Sequence, residues 1–180
     1  TWLANVDYHT VSNSRINYGP ITIKYNNVHH PGVTYGYRIN VGSRTIIYVS
    51  DNECRFLEKS INQKYQEFTN EEKELFDEMK KEEYQSELDL IKDADILIHD
   101  AQYTPEDYEL KRGWGHSCYI DTVNLAIDAG VKELYLYHHD PNYDDEAIAS
   151  IHAQALDIVR ERQSDLKCDI AREGMILDLT

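Results

Sequence analysis

The stretch VKELYLYHHDPNYDDEAIASIHAQALDIVRER, residues 131–162, decides the fold. It opens with a run of strand-forming residues, turns at Pro141 and Asn142, and continues as a helix with acidic residues in its first turn and arginines in its last. Upstream, ADILIHD at residues 94–100 is a continuous apolar run that predicts a buried strand. Between the two strands, residues 119–130 have the apolar spacing of a helix that Gly130 is placed to end. Strands that alternate with helices predict a layered α/β or α+β domain rather than a helix bundle.

A β-like pattern and a charged segment precede this alternation. ITIKY (21–25), TYGYRIN (34–40) and RTIIYVSD (44–51) predict strands, with a hairpin at the short Gly-containing turn between the last two. Residues 56–92 are rich in Glu, Lys, Gln and Asp, which predicts an acidic helical insertion of one long or two shorter surface helices. GMILDL (174–179) predicts a closing strand. No linker or repeat interrupts the chain, so we interpret residues 1–180 as a single domain.

Composition narrows the classes of function. A chain of 180 residues can bury a core without disulfides or a structural metal. Its 33 acidic and 18 basic residues give a net charge of −15, which disfavours long nucleic acids as partners and favours a small ligand. The three cysteines, Cys54, Cys118 and Cys168, are too far apart for a Cys-x-x-Cys site and favour a reducing cytoplasm. No apolar run has the length of a membrane span.

Residues that bind metals or move protons stand at the ends of three predicted strands. Asp51, Asp100 and the pair His138–His139 each follow an apolar run. Because ligands collect where the carboxyl ends of neighbouring strands meet, convergence of these ends would assemble a site. Imidazoles with carboxylates are a ligand set for zinc, manganese or iron, and one aspartate can bridge two ions.

Two further histidines lie in loops that could join such a site. NNVHHPG places His29 and His30 before a Pro-Gly turn, and GWGHS places His116 between glycines and the start of a helix. Taken singly, each histidine is also explained as an ordinary polar residue of a surface loop. Adjacent residues usually point in opposite directions, so at most one of the His29–His30 pair would be a ligand. His152 lies in an amphipathic helix and is interpreted as structural or exposed, and His9 has no supporting context.

Five motifs in this order closely resemble the second half of metallo-β-lactamase-fold hydrolases, in the branch of tRNase Z-like and cyclic-nucleotide phosphodiesterase-like proteins. The resemblance spans about residues 26–145 and implies a layered αββα sandwich, of which this chain covers mainly the C-terminal half. The motifs are HHPGVTYGYRI, IIYVSDNE, ADILIHDAQY, GWGHS and LYLYHHDPNYDD.

The resemblance implies a role for each candidate residue. His30 would bind one metal ion, Asp51 would bridge two ions, and His138 would be the last histidine ligand. His116 would contact the scissile phosphate or protonate the leaving oxygen, oriented by Asp100, where the family usually has Glu. The implied cofactors are two divalent ions, zinc ahead of manganese or iron, and the implied reaction is two-metal hydrolysis.

The family's HxHxDH motif, which supplies about half of the metal ligands, is not found in this sequence, and NVDYHT (5–10) is only its nearest fragment. We expect either that the chain is the C-terminal part of a longer enzyme, or that it is a degenerate relative that binds a partner without catalysis. HHDP differs from the corresponding tRNase Z ending, so a small phosphodiester such as a cyclic nucleotide is the expected substrate, with lactams, thioesters and lactones as alternatives. Residues 71–89 could also mediate a homo-oligomer.

Overall fold

The structure is a computed structural model that describes residues 15–60 and 63–179. Within these ranges the chain forms seven strands: β1 Arg15–Tyr18, β2 Ile21–Asn27, β3 Tyr35–Val41, β4 Arg44–Val49, β5 Ile96–Asp100, β6 Glu133–Tyr137 and β7 Lys167–Ile170. The same ranges contain six helices: α1 Phe56–Lys59, α2 Gln63–Glu67, α3 Asn70–Ile91, α4 Pro105–Lys111, α5 Tyr119–Asp128 and α6 Asp145–Glu161.

All seven strands form one mixed sheet in sequential order. Strands β1 to β4 pair antiparallel through hairpins, and β4 to β7 pair parallel. Parallel neighbours need crossover connections, which α3, α5 and α6 supply. The predicted α/β class and the β3–β4 hairpin are therefore confirmed, and the carboxyl ends of β4, β5 and β6 lie side by side.

The core lies between the sheet and helices α5 and α6. Alternate residues of the central strands face these helices and are almost fully buried, among them Ile47, Leu97, Leu134 and Leu136. Helix α5 ends at Asp128 with Ala129 as its C-cap, and Gly130 follows with a φ of +69°, the left-handed conformation predicted for it.

In the described part of residues 56–92, the acidic segment forms three helices, where the sequence predicts one or two. The longest, α3, begins with a capping box in which Thr69 and Glu72 satisfy each other's backbone N–H groups. Leu75 is 60% exposed on this helix, so its helical spacing with Phe76 and Met79 does not indicate a core face. Helix α3 buries residues only at its end, where Leu90 and Ile91 reach the sheet.

The prediction of a closing strand at GMILDL (174–179) is wrong. Residues 171–179 form no strand, and Met175 and Leu177 lie against the face of the sheet that carries Tyr48 and Tyr135. The last strand is instead the short segment Lys167–Ile170, which pairs in parallel with β6. This segment is a short edge strand with charged residues, so its own sequence pattern does not predict a strand. It becomes a strand because it pairs with its neighbour β6.

In the ranges that the structure describes, no helix is long and apolar enough to cross a membrane. The fragment NVDYHT, with His9, lies outside the described residues. The single-domain interpretation of residues 1–180 stays a prediction.

Candidate metal centre

The ends of the three central strands bring the candidate carboxylates and His138 together. Asp51 lies just past β4, Asp100 ends β5, and His138 follows β6 directly. The register pairs Val49 with His99 and Asp100 with Tyr137, so the three strands end at nearly the same level. His138 has a φ of +62°, a left-handed conformation that is costly for a residue with a Cβ and is found most often at functional sites.

His138 faces both carboxylates without hydrogen bonding to either. Its Nδ1 atom lies 3.6 Å from Asp51 Oδ1 and 3.6 Å from Asp100 Oδ2, which is beyond hydrogen-bond distance. Among the described residues this buried nitrogen has no hydrogen-bond partner. The nearby Asp100 carboxylate, reinforced by Asp51, raises the pKa of His138. A basic nitrogen aimed at two carboxylates across such gaps is an arrangement that a cation would complete.

His116 links this group to His30. Its ring centroid lies 4.8 Å from that of His138 and 5.4 Å from that of His30. Two overlapping sets have donor atoms within 4.8 Å of one another, namely His30 with Asp51 and His116, and Asp100 with His116 and His138. The structure thus brings together all five residues singled out in the sequence, and their individual roles stay predictions.

Asp100 is fully enclosed by hydrogen-bond donors. It is 0% exposed and accepts hydrogen bonds from His116 Nδ1 at 2.6 Å and from the backbone N–H groups of Asn52, Gln102 and Ser117. Burial by itself would raise the pKa of Asp100, but the hydrogen bond from His116 and the proximity of His138 outweigh it and lower the pKa. With its oxygens occupied in this way, Asp100 fits the role of orienting His116 better than that of a metal ligand.

Asp51 has the opposite environment. Its side chain is 33% exposed, and Ser50 Oγ donates to its Oδ2 atom at 2.5 Å. The Oδ1 atom faces His138 at 3.6 Å and His116 at 4.0 Å. An accessible carboxylate among imidazoles is the donor that a divalent ion would use.

The loop that carries His30 rests on the residues after Asp51. The His29 backbone donates to the Asn52 side chain at 2.9 Å, and the Glu53 backbone donates to the His29 carbonyl at 2.8 Å. The His29 ring stacks on Phe56, with ring centroids 3.8 Å apart, and burial lowers the pKa of His29. The Gly32 backbone donates to His30 Nδ1 at 3.1 Å, which places the proton of the neutral ring on Nε2. His30 would therefore have to give up this hydrogen bond to bind an ion.

Sequence reasoning missed Glu53, a fully buried carboxylate beside the site. It is 0% exposed and accepts three hydrogen bonds from the segment that leads to His116. Its partners lie more than 50 residues away, at Tyr108, Gly113 and Gly115. No local pattern in the sequence signals such a role.

The residues present fit a metal site only in part. The orphaned Nδ1 atom of His138 is an unsatisfied group that a site would explain. His30 and Asp51 belong to one of the two closely spaced sets and His138 to the other, so these three donors do not form a single set. These are few ligands for firm binding of two ions, which usually takes three or four protein donors for each zinc.

Comparison with known proteins gives relatives for part of the chain. A search against models of known protein families finds no match. Ribonuclease Z of Brevibacillus brevis is 47% identical over 62 residues, which cover 34% of this chain and 20% of that protein. Ribonuclease Z of Streptococcus suis is 35% identical over 72 residues, covering 40% of this chain and 23% of that protein.

Solved structures match nearly the whole chain. The metallo-β-lactamase fold protein YhfI from Bacillus subtilis has a TM-score of 0.63 and 20% identity over 91% of this chain and 52% of its own. The short form of human tRNase Z has a TM-score of 0.57 and 15% identity, covering 93% of this chain and 46% of its own. A diphosphatase from the PhnP family has a TM-score of 0.56 and 18% identity, covering 98% of this chain and 50% of its own.

The strand order, the site at the strand ends and these neighbours define a protein of the metallo-β-lactamase fold. Within that fold, segments of 62 and 72 residues of this chain are similar to ribonuclease Z. The chain spans about half the length of the solved structures that it matches, and its matched segments span about a fifth of the curated relatives.

Proposed function

We propose that this chain carries the catalytic face of a metal-dependent phosphodiesterase. The observation that carries the proposal is the position of His138 Nδ1, which is unpartnered and faces Asp51 and Asp100, next to a His116 ring held by Asp100. Ribonuclease Z-like segments in the sequence support hydrolysis of phosphodiesters as the reaction class.

His30, Asp51 and His138 would hold the metal, with Asp51 shared between two ions. Their donor types suit zinc, and also manganese or iron. When bound, divalent ions would provide Lewis-acid stabilisation of the charge that develops on the phosphoryl oxygens.

His116 would transfer the proton to the leaving oxygen. Asp100 accepts the Nδ1 hydrogen bond at 2.6 Å, which fixes the ring and leaves Nε2 as the nitrogen that can face a substrate. The lowered pKa of Asp100 keeps this carboxylate ionised, so that it accepts the hydrogen bond that orients His116. His116 is 13% exposed, so a ligand can reach it from the open side of the site.

A small phosphodiester such as a cyclic nucleotide is the substrate class that we propose. The net charge of −15 opposes a long polyanion, and only local contacts are needed for a small one. The few metal ligands in this chain require further donors, which we propose come from an upstream half of the same protein or from a partner chain. The two alternatives, RNA as the substrate and binding without catalysis, are distinguished by the test below.

The test measures hydrolysis of 2′,3′- and 3′,5′-cyclic nucleotides, bis-p-nitrophenyl phosphate and a short RNA, with zinc or manganese added. We expect turnover of the small diesters that falls about 100-fold or more in His116→Asn, because a general acid contributes this much. His152→Ala is the matched control, since His152 lies on α6 and donates from Nε2 to the Cys168 carbonyl, away from the site.

Turnover of RNA but not of small diesters would contradict the proposed substrate class. Metal binding without any turnover, even when the full-length protein is tested, would favour a degenerate binding module.

A further inference from the structure

We infer that Glu53 is a positioning residue that holds the His116 loop, residues 112–117, against the metal centre; this inference rests on the proposed function. The Glu53 side chain is 0% exposed and lies two residues after Asp51, just past the end of β4. It belongs to neither set of closely spaced metal donors.

Both oxygens of Glu53 are used to hold the loop. Oε1 accepts from the Tyr108 hydroxyl at 2.7 Å and from the Gly113 backbone at 2.9 Å, and Oε2 accepts from the Gly115 backbone at 2.9 Å. Burial and the bond to Glu53 raise the pKa of Tyr108, which keeps its phenol protonated as a donor. A carboxylate accepts at both oxygens, whereas an amide would place a donor against one of these three donors.

By holding this loop, Glu53 also affects two histidines, His116 within the loop and His30 next to it. Gly115 immediately precedes His116, whose ring then bonds Asp100. Gly115 also packs so closely on His30 that a Cβ built on it would lie 2.3 Å from His30 Cδ2. The Glu53 backbone donates to the His29 carbonyl at 2.8 Å. Glu53 therefore joins the end of β4 to both loops, through its carboxylate to the loop that carries His116 and through its backbone N–H to the loop that carries His30.

This arrangement explains why the loop can carry two glycines and still be ordered. Gly113 and Gly115 have φ values of +83° and +92°, and such residues lose the most conformational freedom on folding. Hydrogen bonds from both of their N–H groups to a charged acceptor offset that loss, because charge-assisted bonds are about twice as strong as neutral ones.

The experiment compares the full chain with Glu53→Gln and, as a milder change, Tyr108→Phe. Amide hydrogen exchange is measured by NMR at Gly113 and Gly115, with Leu97 and Leu134 as core references. We expect exchange at both glycines to be about tenfold faster or more in Glu53→Gln, and faster at Gly113 in Tyr108→Phe, with the core amides unchanged. Bound metal per chain should stay the same, because Glu53 is not a ligand.

A second readout separates positioning from general stability. In the active protein, kcat of Glu53→Gln should fall about tenfold or more while KM changes little, and Glu53→Ala should be slower still. Unchanged exchange at Gly113 and Gly115 in a folded Glu53→Gln variant would overturn the inference. If Glu53→Gln does not fold, unchanged Gly113 exchange in Tyr108→Phe overturns it. If the wild-type chain has no hydrolase activity, the proposed function fails while the exchange result still decides the role of Glu53.

Discussion

At the scale of single residues, two aspartates of the same chemistry have different surroundings. Asp100 is enclosed and accepts from His116 and three backbone N–H groups, whereas Asp51 is accessible and accepts from Ser50. The environments assign Asp100 to orientation and leave Asp51 for an ion. From their positions in the sequence, both residues are predicted only as acidic residues at strand ends. The different roles, metal bridging for Asp51 and orientation of His116 for Asp100, come from the family resemblance.

The two aspartates should therefore respond differently to the same substitution. Asp51→Asn should weaken metal binding by about 100-fold or more, whereas Asp100→Asn should weaken it by only about tenfold, the lower end of the cost of losing an orienting partner. Chelator competition with zinc measures both affinities. Equal losses in the two variants would contradict the assignment.

Gly115 offers a second test at this scale. An alanine there adds a Cβ 2.3 Å from His30 Cδ2 and 2.5 Å from Pro31 Cδ, so His30 must move. Gly113→Ala is a matched control, because its φ is also positive but its Cβ would meet nothing within 4 Å. Both variants carry a backbone cost of roughly 1 kcal/mol, so the difference between them reports the contact with His30.

We expect Gly115→Ala to bind zinc about tenfold more weakly than Gly113→Ala, since it displaces a ligand. Isothermal titration calorimetry on both variants checks this expectation. Equal affinities would mean that His30 is not a ligand or that its loop adjusts without loss.

At the scale of elements, helix α3 is attached to the site through carboxylates. Glu87 Oε1 accepts from the Arg55 backbone at 3.2 Å, and Glu83 Oε2 accepts from the Leu57 backbone at 3.0 Å. These bonds cap the start of α1, the short helix that follows Asp51 and Glu53. The Glu87 Oε2 atom is buried and has no partner among the described residues.

Glu87 gives this attachment a pH dependence. Burial raises its pKa to about 8, with a further contribution from Glu83. Because the folded state then binds the proton more tightly than the unfolded state, the stabilisation is complete below the unfolded pKa and is lost as pH rises towards 8. Glu87 is not wholly enclosed by the protein, so we expect a loss of about 1–3 kcal/mol in the free energy of unfolding between pH 5 and pH 8.

Urea unfolding at several pH values checks this expectation, with Glu87→Gln as the variant and Glu74→Gln as a control that removes an equal charge from an exposed position of the same helix. The fall in the free energy of unfolding with rising pH should be smaller in Glu87→Gln and unchanged in Glu74→Gln. A wild-type stability that does not fall over this range would contradict the role given to Glu87.

Elements with strong patterns were predictable, and elements determined by their neighbours were not. The apolar runs of β4, β5 and β6 and the left-handed Gly130 follow from the sequence, because a continuous apolar strand and a helix stop leave local signals. Strand β1 is short, exposed and at the sheet edge, so its sequence carries no such signal. Glu53 was missed because its partners are brought near only by tertiary structure.

At the scale of the whole molecule, the sheet has one covered and one open face. Tyr25, Tyr37, Tyr48, Ile98 and Tyr135 are register partners on successive strands and form a row across the face opposite α5 and α6. This row, the open sheet face, is only partly covered by the described residues, and Tyr37 is 37% exposed. Of these five side chains Tyr37 is exposed and the others are partly buried, and an exposed apolar face of a sheet is a contact site for another polypeptide when it is large enough.

We therefore expect the chain to self-associate through this face. Sedimentation velocity should show association that Tyr37→Lys weakens. Leu75→Lys, on the exposed part of α3, is the control. If Leu75→Lys disperses the oligomer instead, the acidic segment at residues 71–89 mediates assembly.

The central claim is that His30, Asp51 and His138 bind a metal ion, and elemental analysis of the purified chain by inductively coupled plasma mass spectrometry tests it most directly. We predict near-stoichiometric zinc, manganese or iron that is lost in His138→Ala and retained in His152→Ala. A folded chain without bound metal, or one whose metal content is the same in both variants, would contradict the claim.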